Sequence, residues 1–326
     1  YHAAFWQTAR EQGWCAAAVP EKFGGLGLGL VEQGLLALQI GRSLAGAPFL
    51  TGGWGVARAL AAQADSPATA QWLPLLASGE AISAVAFAVG QDPLPRHPAL
   101  SLSAGRLSGT ATAVSGGGHA DVVLALANAD GEPALVVAPL AGVERRLLHT
   151  WDNSRLTADL TFAGQDATEL ARGDAAMALA RDVLAAQAAI VAHEQTGGAE
   201  ALMERARDHA VTRRAFGQPI GAFQSVKHRI AELYVGVELA RAAAIHAAAC
   251  DGTPGFLAAA AAARIQATEA YDTAARDAVQ VHGGIGVTWE AGLHLHTRRA
   301  RTLAIEQGNL LFWEDLLVSE LEGQAA

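Results

Sequence analysis

Between Phe223 and Ala244 the apolar residues Phe223, Val226, Ile230, Leu233, Val237, Ala240 and Ala244 recur at alternating spacings of three and four. That spacing lays a single apolar stripe along a helix and predicts a face packed on other helices. The stretch before it, from Asp174 to Arg214, keeps a helical pattern throughout, with Asp174 placed to cap its start. The break between the two, Arg213 to Ile220, contains Gly217, suited to a left-handed helix end, and Pro219, which cannot sit inside a helix. Asp251-Gly252-Thr253-Pro254-Gly255 makes the next break, and a further helix is expected to run to about Val281. A turn at Gly283-Gly284-Ile285-Gly286 then leads to a last helix from about Glu290. Four long antiparallel helices are the pattern of a bundle.

The start of the chain is also helical. His2 to Ala18 reads as one helix, ended by Pro20, and the glycines of Glu21 to Gly29 read as a turn between helices. They lack the preceding strand and the Gly-Lys-Ser/Thr ending of a phosphate loop. Val31–Ile40, Gly55–Ala62 and Ser66–Leu76 continue as helices. From Ala81 the texture changes: Ser83–Val89 is a strand candidate, followed by a proline-rich loop from Asp92 to Pro98. Val122–Ala127 and Ala134–Val137 flank Asn128-Ala129-Asp130-Gly131, a hairpin signal. In the segment holding Leu156, Ala158, Leu160 and Phe162, apolar and polar residues alternate as in a half-buried strand. The expected organisation is therefore α+β and multidomain: a helical domain over 1–80, a β domain over 81–168 and a helical bundle over 169–326.

Composition narrows the function classes. Apolar residues make up 51% of 326, enough for a large core. A net charge of -9 argues against nucleic acid as a main partner, since that would want a basic stripe. Cys15 and Cys250 stand far apart with no metal-type spacing, which suits a reducing cytoplasm. No membrane span is expected: Arg264 interrupts the alanine-rich run from Phe256 well short of the roughly 20 residues a span needs. Tyr1 opens in mid-helix fashion, so an N-terminal segment is expected to be missing from this sequence.

Three fragments give the pattern a name: Gly13-Trp14 through Val19-Pro20-Glu21-Lys22-Phe23-Gly24-Gly25, then Arg213 to Gln224, then Gln280-Val281-His282-Gly283-Gly284-Ile285-Gly286. In this order, and with helical, β and helical segments around them, the chain resembles an acyl-CoA dehydrogenase over essentially its whole length. The resemblance implies FAD held at a subunit interface. Arg213 would reach the pyrophosphate, with Phe216, Gln218 and Gln224 beside it, and Gln280, Gly283 and Gly284 would add contacts from the later turn. A guanidinium offers forked donors to a diphosphate and stays charged at any working pH. Glycine lets the main chain come close to phosphate.

The departures from the family pattern carry as much weight. Where the family has a Thr-Glu-Pro-x-x-Gly-Ser-Asp run for the flavin ring, this chain has Phe87-Ala88-Val89-Gly90-Gln91-Asp92-Pro93 and continues to Pro98. Where an aromatic and a Ser or Thr usually follow, Ala113-Val114-Ser115-Gly116-Gly117-Gly118 stands. The family's reaction needs a carboxylate to remove the proton alpha to the thioester while the flavin accepts the beta hydride. The two positions at which the family places that Glu are here Gln307 and Gln187. Gln is essentially non-basic, and Glu306, one residue away, is the fallback through a register shift, although adjacent helical residues point about 100 degrees apart. No metal site is expected: His294 and His296 do not share a helix face, and His193-Glu194 lacks a second His. Arg298, Arg299 and Arg301 read as a solvated or interface face, with contact to a CoA phosphate as the functional alternative.

The resemblance thus implies the companion subunit of a heteromeric FAD-dependent acyl-CoA dehydrogenase, similar to bacterial α2β2 enzymes acting on steroid side-chain CoA thioesters. A homologous partner would carry the catalytic Glu, and an electron-transfer acceptor would reoxidise the flavin. The competing readings are an active homo-oligomer using Glu306 and a structural homologue that binds no flavin.

Overall fold

The computed structural model describes residues 3–46 and 53–325. The first helix, α1, spans Ala3–Glu11, so the expected start at His2 lies outside the described residues. It stops seven residues short of the expected Ala18, because Gly13 takes a positive φ of 74° and the chain turns there. Glu21–Phe23 is a short 3-10 turn closed by left-handed Gly24, the expected connection between helices. Helices α2 (Leu30–Ser43), α3 (Gly53–Ala62) and α4 (Pro67–Ser78) follow, α4 entered through Ser66 with proline in its first turn.

Eight strands form one mixed sheet: β1 (Ser83–Ala86), β2 (Leu100–Ser103), β3 (Arg106–Val114), β4 (Val122–Ala129), β5 (Glu132–Pro139), β6 (Glu144–Leu147), β7 (Ala158–Asp166) and β8 (Thr168–Arg172). The order is β6-β7-β3-β2-β4-β5-β8, with β1 joined in parallel to β4. The β4–β5 hairpin turns on Asp130 and Gly131, both at positive φ, as the sequence signal requires. Strand β4 is apolar on both faces because both are covered. Leu124 and Leu126 pack among Val56, Leu60 and Leu73 of the helices, whereas Val123 and Ala125 pack against Leu107, Leu160 and Phe162. Leu156, expected within the strand, precedes β7 at a φ of 39°.

The second helical region comprises α5 (Asp174–Thr212), α6 (Gln224–Ala249), α7 (Phe256–His282), α8 (Leu293–Leu303) and α9 (Leu310–Ala325). A two-residue hairpin, β9 (Arg214–Ala215) with β10 (Gln218–Pro219), bridges α5 and α6. The α6 stripe is buried over its second half, at Leu233, Val237, Ala240 and Ala244, whereas Phe223, Val226 and Ile230 are half-buried. The expected fourth long helix is instead two, α8 and α9, divided by a turn over residues 304–309. By length and composition α5 could cross a membrane, but two-thirds (67%) of its most apolar stretch is buried inside the protein.

The chain makes two compact units, one of Tyr1–Gln33 with Gly46–Gln187 and one of Gly34–Ala45 with Ala188–Ala326. Within the second unit, α2 and α5 touch backbone to backbone. A Cβ at Gly41 would lie 1.9 Å from the Glu194 carbonyl oxygen, and one at Gly197 would lie 2.0 Å from that of Leu38. Helix α7 buries alanines at 260, 261, 263, 267, 274 and 278, so its neighbours can approach closely.

Candidate functional site

Helix α5 ends where the Arg213 N–H donates to the His209 carbonyl at 2.8 Å. The chain then reverses through Phe216 and Gly217, at φ of 51° and 82°, and the Ile220 N–H returns to the Arg213 carbonyl at 2.8 Å. This tight arm leaves the Phe216 ring 95% exposed, set edge-on against Phe223. Arg213, Gln218 and Gln224 are exposed beside it. Arg214 donates to the Gly217 carbonyl and stiffens the arm from within. The Arg213 guanidinium makes no ion pair or side-chain hydrogen bond among the described residues.

The later turn is built on the end of α7. Gly283 has a φ of 63°, open to glycine but strained for other residues, and its N–H closes the helix on the Val279 and Gln280 carbonyls. That N–H is therefore used within the chain. At Gly284 nothing in the chain fills the place a Cβ would take, so the main chain lies open to a group from outside. Gln280, Gly283 and Gly284 are exposed.

The two segments meet through a contact that neither motif announces. The His209 and His282 rings stack with centroids 4.3 Å apart and planes at 21°. All seven expected cofactor residues therefore belong to two segments, the α5–α6 connection and the end of α7, joined at one ring pair. An unpaired exposed guanidinium, a bare aromatic ring and an open glycine backbone fit the diphosphate and adenine of a dinucleotide cofactor.

The base positions are built differently. Gln187 lies on α5 at 1% exposure, and its amide fills the space against Gly55, where a Cβ would come within 2.6 Å of Nε2. Glu306 and Gln307 are not on a helix but in the turn after α8, with Gln307 at φ 56° and Gly308 at φ 120°. The helical-step argument between Glu306 and Gln307 therefore does not apply. Glu306 is 6% exposed. Its turn is held from within by Arg264 of α7, which donates to the Leu303 and Glu306 carbonyls at 2.8 Å each and to Thr268 at 3.1 Å. Trp313 donates from the other side to the Gly308 carbonyl.

Most other polar candidates have partners within the chain. Arg299 does not lie on a solvated face: it is buried and pairs with Glu194 of α5 at 2.7 Å. Arg301 pairs with Asp272, and Arg298 is exposed. His193 donates from Nδ1 to the Ala189 carbonyl at 2.8 Å, its ring lying against Gly34. His296 contacts the Tyr271 hydroxyl at 2.9 Å, and burial, with Arg205 and Arg299 nearby, pulls it down to about 3. His294 stacks instead on exposed Trp289. No cluster of three metal-ligating side chains exists among the described residues. Both cysteines are free, and burial pushes the Cys15 thiol up to about 11.

Known proteins match this arrangement along most of the chain. The N-terminal domain of acyl-CoA dehydrogenases matches residues 1–80 and the C-terminal domain matches 163–310. The chain is 33% identical to acyl-CoA dehydrogenase IpdE2 of Mycobacterium tuberculosis over 302 residues, 92% of this chain and 81% of that protein. It is 35% identical to acyl-CoA dehydrogenase FadE34 of the same organism over 293 residues, but spans only 38% of that protein's length. Among solved structures, the ChsE4-ChsE5 complex from Mycobacterium tuberculosis superposes with a TM-score of 0.88 at 27% identity, covering 99% of this chain and 88% of that one. A variant of the Tcur3481-Tcur3483 steroid ACAD gives 0.87 at 25%, covering 100% and 90%. With the motif residues in two exposed segments and IpdE2 aligned over four-fifths of its length, this chain belongs to the acyl-CoA dehydrogenase family of oxidoreductases, whose cofactor is FAD.

Proposed function

We propose that this chain is the companion subunit of a heteromeric acyl-CoA dehydrogenase, giving the adenosine-pyrophosphate half of an FAD site to a homologous partner. The partner supplies the flavin-ring contacts and the catalytic Glu, and the assembly is α2β2. The observation that carries this reading is an asymmetry within one chain. The Arg213 arm is exposed and unpaired, whereas both family base positions hold Gln, one of them buried against Gly55. The neighbouring carboxylate, Glu306, is buried in a turn whose backbone Arg264 holds. A general base must come within hydrogen-bond reach of the proton it takes, so with neutral Gln at both family positions the base is assigned to the partner chain.

In this reading Arg213 holds the diphosphate with forked donors, Phe216 and Gln218 cover the adenosine side, and Gln224 and Gln280 orient it. FAD, when bound, accepts the hydride removed beta to the thioester. ChsE4-ChsE5 is described as a complex and Tcur3481-Tcur3483 as a steroid ACAD, which supports a partner chain and a bulky, steroid-side-chain acyl-CoA. A cytoplasmic location and an electron-transfer acceptor belong to the same proposal. The test is the visible spectrum of the chain expressed alone and with its homologous partner. The expected result is flavin absorbance and turnover in the co-expressed complex only. Yellow, active protein from this chain alone would overturn the reading, and a colourless complex would favour a structural homologue.

A further inference from the structure

We propose that His209 and His282 are a cofactor-positioning pair, setting the spacing between the Arg213 arm and the Gly283-Gly284 turn and taking up a proton when a diphosphate is held at the arm. The inference rests on the reading of this patch as the adenosine-pyrophosphate half of an FAD site.

The geometry places the pair at the junction of both segments. His209 lies one helical turn before Arg213, whose N–H its carbonyl accepts at 2.8 Å. His282 immediately precedes Gly283, and its Nδ1 lies 2.7 Å from the Ala278 carbonyl. A carbonyl only accepts, so Nδ1 carries a proton in that hydrogen bond. The rings overlap at 4.3 Å, close enough for neutral or singly protonated stacking and too close for two cations without repulsion. Each ring sits in the last turn of its helix, where the helix dipole favours positive charge.

The surrounding charges leave this pair responsive. Burial, then the neighbouring His282 and Arg213, hold His209 below its ordinary range. Arg205, one turn earlier on α5, is directed to the Ala291 carbonyl. Asp277 on α7 is held by Arg229 of α6, and Asp208 by Arg207. These carboxylates are therefore each already paired with an arginine. A diphosphate at Arg213 adds the negative charge that the pair lacks and raises its proton affinity. By linkage, a ligand that raises a pKa binds more tightly below that pKa and loses the gain as pH rises through it. FAD affinity should therefore increase about threefold to tenfold from pH 8 to pH 6, because proton affinity raised tenfold by the ligand strengthens ligand binding by at most the same factor.

The experiment follows FAD release by flavin fluorescence from the complex with its partner chain, between pH 6 and 8. Three proteins are compared: wild type, the double variant His209→Phe with His282→Phe, and His209→Ala. Phenylalanine keeps a flat stacking ring without a titrating nitrogen, so the double variant should flatten the affinity ratio to near one. Alanine removes the stack and should weaken FAD at both ends of the range. Nitrogen NMR of the wild-type imidazoles, with and without FAD, gives a second readout that needs no variant to fold: one imidazole should titrate at higher pH when FAD is bound. A wild-type complex that holds FAD with a flat ratio, or imidazoles unmoved by FAD, would overturn this inference alone. A complex without FAD would overturn the cofactor-site reading and this inference with it.

Discussion

Replacing Arg299 with methionine removes the cation from a pair whose side chains are 4% and 0% exposed, leaving the Glu194 carboxylate buried without its salt bridge. Breaking a buried pair from one side costs about 3–5 kcal/mol, because the remaining charge keeps its desolvation penalty. For a domain of roughly 150–250 residues, each kcal/mol lowers the melting temperature by about 2–4 °C, so a fall of about 6–20 °C is expected. The weaker contacts from Arg299 to the Ala45 carbonyl, at 3.4 Å, add little. Replacing both partners, Glu194→Leu with Arg299→Met, removes both charges together and should restore most of the loss. The assay is thermal or urea unfolding of the two single variants and the double variant, read as a double-mutant cycle. A coupling near zero would refute the buried-pair account. If Arg299→Met left stability unchanged and raised KM for the acyl-CoA, the arginine would instead be a contact to CoA phosphate.

Three further outcomes follow from the same structure. Glu306→Gln should leave turnover of the complex within about twofold, whereas loss of a true general base lowers it by about a hundredfold or more; steady-state kinetics decide. Arg213→Lys keeps the charge but loses the forked geometry, so FAD should dissociate more readily by roughly tenfold with no change in melting temperature beyond cofactor loss. His296 is neutral when folded, pulled down to about 3, and binds a proton in the unfolded chain near 6.5. The unfolded state thus binds more protons below pH 6.5, so stability is fullest above that value and declines as pH falls. Between pH 7 and 5 this residue alone should remove about 2 kcal/mol, measurable by urea unfolding, and His296→Gln should reduce that slope.

The parts of the fold legible in the sequence are those carried by local pattern. The stripe from Leu233 to Ala244 and the Asp130-Gly131 turn each state their own structure, and both form as expected. The β2–β3 hairpin escapes a sequence reading because its turn uses Ala104 and Gly105 at positive φ, and alanine does not advertise that conformation. The break between α8 and α9 escapes it for a related reason: Gln307 adopts φ 56° because Arg264 and Trp313 hold the turn through tertiary bonds. Arg299 looks like part of a surface arginine cluster in sequence, since its partner Glu194 is 105 residues away. The cofactor motifs are visible, but not the His209–His282 contact that joins them, which arises from two helix ends meeting in space.

The proposed division of roles puts the base on the partner chain, so a change confined to the partner tests it. The complex is assembled from this chain in its wild-type form and a partner whose catalytic Glu has been changed to Gln. Turnover of the acyl-CoA with an artificial electron acceptor is then compared with the wild-type complex at equal flavin content. Activity is expected to fall by about a hundredfold or more while the flavin spectrum is retained. Activity kept near the wild-type level would place a working base in this chain instead.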